Sequence, residues 1–341
     1  MKKLLSMLLI IAMMVSFAAC GSDEPTDGDE PTGDTPVTLV IGNVAPGMDH
    51  PYNQGLVYAQ EWLAEHDSTI TLDLQINSIL GSETEMASAV ALGDLDMVQM
   101  ADMSSTNICP EMAFANFPGI MNSWEDVSAA WGEGGWAYEI ANDLFQEKGM
   151  ILLGAMDNGF RIISNSVRPV EKMADIEGLT IRVPENELLL DIWKEFGALT
   201  VPVAYSELTT ALQTGTVDGQ ELGLSSFYQN RWDEYNPYFT ETNYNYSAAV
   251  ILINADKFNS LSEKQQQDLQ EAFNYACAEQ LTYCAEFNAN GLATMIEEGL
   301  QVSEMTDEFR QEIWQVGYNL AHTDKWMGVL GEDIVNKIYG E

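Results

Sequence analysis

The chain has 341 residues and carries 14 Lys+Arg against 53 Asp+Glu, a formal net charge of −39. Such a body lacks the basic patch that a nucleic-acid backbone requires, and it is unsuited to docking on anionic lipid head groups. Hydrophobic residues make up 46% and aromatics 10%, enough for a globular body of two ordinary domain sizes.

The N-terminus comes first. Lys2 and Lys3 precede an apolar run, residues 4–19, that is too short for a confident membrane span. The segment 1–19 is expected to be a signal peptide. It closes on Phe17-Ala18-Ala19-Cys20-Gly21, which resembles a bacterial lipoprotein signal, with Cys20 as the lipidated residue; Phe17 departs from the usual leucine. The competing reading is an ordinary secretory signal. Residues 21–36 hold three Pro, three Gly and six acidic residues with no aliphatic or aromatic side chain. They cannot bury enough apolar surface to offset ordering entropy. Residues 20–36 are therefore expected to tether a soluble body to a lipid anchor, over a reach of roughly 50 Å.

The body alternates strand and helix. Strands are expected at 37–44, 69–76, 96–100 and 150–156. Helices are expected at 52–65, at 83–92 behind a Ser82/Glu85 capping-box pattern, and at 124–147 with a break at 132–135. A second set follows, with strands at 161–165, 179–183 and 217–221 and helices at 187–196 and 205–214. A long apolar strand at 244–254 and two helical stretches, 262–299 and 306–339, complete the chain. This order implies an α/β fold with mainly parallel sheets, in which ligands sit beyond the carboxyl ends of the strands.

Cys277 and Cys284 lie seven apart on a helix, about 10 Å along its axis and too far for a disulfide. The histidines are scattered, and neither a CxxC nor an HExxH pattern is present, so no metal or other cofactor is expected.

Two arginines stand apart. After Lys3 the next Lys or Arg is Lys148, yet Arg161 and Arg182 sit within apolar strand-like runs. Arginine grips a carboxylate through two parallel hydrogen bonds. A structural salt bridge is the competing explanation. In 179–183 the odd positions Leu179, Ile181 and Val183 share one face, which leaves Arg182 on the other, at the strand's carboxyl end before Pro184.

From residue 157 the motifs follow a known order: Asp157-Asn158-Gly159-Phe160-Arg161, Asn165-Ser166-Val167-Arg168-Pro169, Ile181-Arg182-Val183-Pro184, Tyr205-Ser206-Glu207-Leu208, and Asp218-Gly219-Gln220-Glu221. Upstream, His50-Pro51-Tyr52 and Leu80-Gly81-Ser82-Glu83 fit as well. The set resembles the substrate-binding proteins of tripartite ATP-independent periplasmic (TRAP) transporters, dicarboxylate-binding type, over about residues 37–340. The resemblance implies a two-lobed periplasmic-binding-protein-like fold of mixed sheets with flanking helices, its lobes joined by crossing strands and a long helix. Lobe I is expected to comprise 37–157 with about 247–288, and lobe II 158–246 with about 289–341. It further implies an extracytoplasmic receptor, without catalysis, that closes on a small organic acid and delivers it to a TRAP membrane permease. Arg182 corresponds to the family's carboxylate ligand, Arg161 to a second cationic contact, and Tyr205 to an aromatic that packs on the ligand.

Leu222 stands where the family commonly has an asparagine. Asn158 or Tyr228 is the expected substitute donor. His50, Asn43, Glu83 and Glu221 are further candidates, although a capping role competes for Glu83. Nothing requires more than a monomer. Two rival classes remain open: a sensor ectodomain paired with a membrane kinase, and a glycoside-acting enzyme that needs only two carboxylates. A GxSxG elbow, a GxGxxG turn and a P-loop are all missing from the sequence.

Overall fold

The computed structural model describes residues 34–132 and 134–340. The signal peptide, Cys20 and most of the tether lie outside the described residues. Ten strands build the body: β1 (Val37–Gly42), β2 (Ile70–Gln75), β3 (Met97–Ala101), β4 (Met150–Asn165), β5 (Thr180–Val183), β6 (Leu199–Pro202), β7 (Gly219–Gly223), β8 (Tyr238–Thr240), β9 (Tyr246–Asn254) and β10 (Gln301–Ser303). The main path runs β2-β1-β3-β9-β4-β7-β5-β6, with β8 on β4 and β10 on β8. β1 is parallel to β2 and β3, and β5 is parallel to β6 and β7. β9 runs antiparallel to β3 and β4, so the mixed α/β class expected from the sequence is the class found.

β4 joins the two halves of this path. Its first part, Met150 to Phe160, pairs with β9, and its last part, Arg161 to Asn165, pairs with β7. The two strands expected at 150–156 and 161–165 are thus one strand of 16 residues. The apolar pattern breaks at Asp157-Asn158-Gly159 because the register slips there and Gly159 takes φ +94°. A bulge bends the strand without ending it.

Several helices start where the sequence supplies a cap. Ser82 and Glu85 form the full capping box of the helix Glu83–Leu92, and the His50 ring caps the helix Pro51–Glu65. Ser262 and Gln265 cap the helix Glu263–Glu298, whose 36 residues extend about 54 Å. Its buried positions Leu269, Ala272, Phe273 and Ala276 recur at helical spacing. It packs against β4 and the helix Pro51–Glu65, then reaches the helix Leu224–Gln229 further along. Cys277 and Cys284 on this helix are free thiols, as is Cys109.

Two further differences from the sequence reading have physical causes. The stretch 306–339 is three helices, Asp307–Ala321, Asp324–Leu330 and Glu332–Tyr339, because Thr323 caps a new start and Gly331 takes φ +78°. The first of these faces the helix Glu187–Glu195, while the other two lie on the 3-10 segment Pro110–Asn116. Strands β6, β8 and β10 hold only three or four residues each, too few to show a period.

Candidate functional site

The carboxyl ends of β1, β3, β5 and β7 open onto one crevice. Its floor is a cavity of about 50 Å³, lined by Val44, His50, Tyr52, Glu83, Ser104, Asn158, Arg161, Arg182, Tyr205, Leu222 and Ser226 among others. The strand pleat explains Arg182. Ile181 and Val183 are buried in the main core on one face of β5, and Arg182 emerges on the other toward the cavity.

The two arginines differ in kind. Arg161 donates Nε–H to Glu221 Oε2 at 2.8 Å and Nη2–H to Glu221 Oε1 at 2.9 Å, a two-pronged pair sealed from water. Tyr244 donates its hydroxyl to the same carboxylate at 2.7 Å, and Trp193 donates to the Tyr244 oxygen. Burial opposes the Arg161 charge, but Glu221 more than offsets it and holds the pKa above its ordinary value. Arg182 is only 3% exposed. It donates Nε–H to the Val203 carbonyl at 2.9 Å, and among the described residues its guanidinium forms no ion pair. Burial, with the added repulsion of Arg161, brings its pKa down to about 10 despite the pull of Glu221. It remains a cation at neutral pH, held in a cavity without a direct counter-ion.

The other lining groups are neutral or acceptors. His50 accepts the Tyr52 backbone N–H on Nδ1, which leaves Nε2 to carry the proton, 3.4 Å from Ser226 Oγ. Burial lowers its pKa to about 3, so it is uncharged. Asn158 donates to Ser247 Oγ at 2.9 Å, and Ser247 donates in turn to Asp102. Tyr205 accepts from Asn230 on its hydroxyl at 2.8 Å and sets its ring edgewise to Trp232. Glu83 accepts from the Ala101 N–H at 2.9 Å and from Ser104 Oγ. Burial raises its pKa, and these two bonds, with the nearby arginines, work against the rise. The capping role that competed for Glu83 in the sequence belongs to Glu85.

Seven of the ten candidate ligand residues therefore meet in one cavity: His50, Glu83, Asn158, Arg161, Arg182, Tyr205 and Leu222. Three do not line it. Asn43 is tied to Asn53 and Gln99 behind the wall, Glu221 stands behind Arg161, and Tyr228 packs on Gly291 and Phe287. The sequence reading missed Ser104 and Ser226. Both lie in short segments outside the periodic runs, and a serine alone carries no signal. Tyr52 was visible only as part of the His50-Pro51-Tyr52 motif.

Hydrogen bonds also cross the crevice mouth. Asn107 donates to the Glu185 carbonyl at 2.7 Å, Asn186 to the Met103 carbonyl at 2.7 Å, and Gln229 to Asp49 at 3.1 Å.

Residues 41–323 match the model for bacterial extracellular solute-binding protein, family 7 (DctP). A solute-binding protein of Verminephrobacter eiseniae is 33% identical over 69% of this chain and 69% of its own length. The 2,3-diketo-L-gulonate-binding periplasmic protein YiaO of Escherichia coli is 31% identical over 68% of this chain and 70% of its own. Among solved structures, a TRAP periplasmic solute-binding protein from Polaromonas sp. JS666, bound to D-erythronate, superposes with a TM-score of 0.81. It is 28% identical, and the match covers 88% of this chain and 97% of that one.

Proposed function

Because this chain belongs to the DctP family of bacterial extracellular solute-binding proteins, whose members bind rather than transform their solutes, we propose that it captures an organic acid by its carboxylate on Arg182. The observation that carries this reading is the buried, unpaired Arg182 guanidinium at a cavity floor, in a chain where carboxylates outnumber cations almost four to one. A desolvated cation without an anion is costly. A ligand carboxylate that accepts two parallel hydrogen bonds removes that cost and adds charge-assisted bonds.

Capture is coupled to closure. Arg161 and Arg182 reach the cavity from β4 and β5, and His50, Glu83 and Ser104 reach it from the elements that follow β1 and flank β3. A ligand that bridges the two sides favours the closed arrangement by its difference in affinity for the closed and open forms. The two lobes of this motion are 37–157 with about 247–288 and 158–246 with about 289–341. The closed receptor presents the acid to a TRAP permease driven by an ion gradient. In this proposal a lipid on Cys20 holds the receptor at the membrane through the acidic residues 21–36.

Thermal unfolding against a panel of organic acids tests the reading. A true ligand at about 100 times its Kd adds roughly 2.7 kcal/mol and raises the midpoint by several degrees. The gain disappears in Arg182→Ala. A hit retained in full by that variant refutes the role of Arg182.

A further inference from the structure

The crevice also limits which acid fits. Resting on the reading that Arg182 holds a carboxylate, we propose that the site selects a short hydroxylated monocarboxylate over dicarboxylates and sugar acids. In this scheme Leu222 limits the length of the acid, and Glu83 recognises its hydroxyl.

Three observations converge. The first is size. The cavity of about 50 Å³ and the adjoining one of about 30 Å³ are together smaller than the cavity near 150 Å³ that holds a benzene ring in an apolar core. Every atom added to the acid must displace wall side chains, so short acids enter at the lowest cost and a six-carbon polyhydroxy acid at the highest.

The second is charge. A second carboxylate needs a second free cation. Arg161 is already gripped by both oxygens of Glu221, His50 is uncharged, and the remaining ionisable lining groups are Tyr52, Tyr205 and the acid Glu83. A dicarboxylate would therefore bury one unpaired anion beside another carboxylate.

The third is the pattern of the wall. Val44, Ala45, Ala101, Met103 and Leu222 offer no side-chain hydrogen bond to a chain of hydroxyls, and the polar lining groups His50, Ser104, Asn158, Tyr205 and Ser226 already hold protein partners. Glu83, by contrast, lines both this cavity and the adjoining pocket that shares Arg182. Its oxygens already accept two hydrogen bonds, and a carboxylate has lone pairs for more. A single ligand hydroxyl near the carboxylate finds that acceptor. An acid without a hydroxyl leaves a desolvated polar group unmatched, which is how sites of this kind discriminate.

Titration calorimetry of the purified protein with lactate, 2-hydroxyisovalerate, propanoate, succinate, malate and galactonate tests the proposal. The hydroxy monoacids are expected to bind at least about 30-fold tighter than succinate, malate or galactonate, and about 10-fold tighter than propanoate. Glu83→Gln should shrink the hydroxyl preference by about 5-fold or more. Leu222→Asn, and separately the shorter Leu222→Val, should narrow the gap to the larger and more polar acids, read only if the variant keeps its folded circular dichroism. A dicarboxylate or sugar acid that binds as tightly as the best hydroxy monoacid overturns the proposal in the wild-type protein alone. If that acid is lost in Arg182→Ala, only the selection falls. If any bound acid survives in Arg182→Ala, or if no acid binds, the underlying carboxylate reading falls with it.

Discussion

Arg161 and Arg182 look alike in the sequence, each an arginine in an apolar strand. The structure gives them opposite energetics. Arg161 has a dedicated carboxylate, so its removal strands a fully buried Glu221. Arg161→Ala should cost about 3–5 kcal/mol of stability, measured by denaturant unfolding. Among the described residues Arg182 serves no ion pair, and Arg182→Ala should change stability little while it weakens carboxylate binding by at least roughly 2 kcal/mol. Equal losses of stability in the two variants would contradict this division. The pleat made the direction of Arg182 legible before the structure. The pairing of Arg161 was not, because Glu221 is only one of many acids in the chain and their spatial neighbours depend on how β4 and β7 register.

Asp157 is a second residue-scale case. It is buried, its Oδ1 has no hydrogen-bond partner, and burial raises its pKa to about 6, against the lowering effect of bonds from Cys284 and Tyr246. The folded state thus holds a proton more tightly than the unfolded state does. The associated stability is fully present below pH 3.8 and is lost as pH rises through about 6. Asp157→Asn should therefore stabilise the protein on the order of 1–3 kcal/mol at pH 8 and leave it almost unchanged at pH 3.5, as read from melting curves at the two pH values. A gain of equal size at both pH values would mean that the carboxylate charge is not the cause.

Among the elements, β4 departs most from what the sequence announces. The polar triplet at 157–159 looks like a loop between two strands, and only pairing with β9 and β7 shows it to be a bulge in one. Long amphipathic or capped segments were legible because their period and caps are local. The short strands β6, β8 and β10 were not, because each depends on a distant partner for its existence. Gly159 makes the bulge possible. Its φ of +94° disfavours any side chain, although a Cβ there would meet nothing within 4 Å. Gly159→Ala should thus cost roughly 1–3 kcal/mol through the backbone alone, detected as a lower denaturation midpoint. No loss would mean that the backbone relaxes at little cost. Asn158 and Arg161 flank this bulge and line the cavity, so the same variant should also weaken ligand affinity.

For the whole molecule, the order of motifs along the chain was enough to anticipate the class of fold and where the crevice would open. It did not reveal the contacts that bridge the crevice mouth, since Asn107, Gln229 and their partners lie 78 and 180 residues apart in sequence. Under the proposed closure, these bonds are expected to favour the closed form. Asn107→Ala together with Gln229→Ala should shift the ligand-free population toward an open form, with a larger radius of gyration by small-angle scattering. The apparent Kd should rise in inverse proportion to the closed fraction that remains. An unchanged radius and Kd would show that the bridging bonds contribute nothing to closure.

The isolated cation in a strongly acidic body also has a kinetic consequence. An anion that approaches so acidic a chain, of formal net charge −39 over its full length, meets repulsion before Arg182 can attract it, so the field slows capture instead of steering it. Dissolved salt shortens the reach of that field to about 10 Å at 0.1 M. The association rate measured by stopped flow should therefore climb as salt is added, the reverse of the behaviour of electrostatically guided pairs, and capture should be fastest in brine.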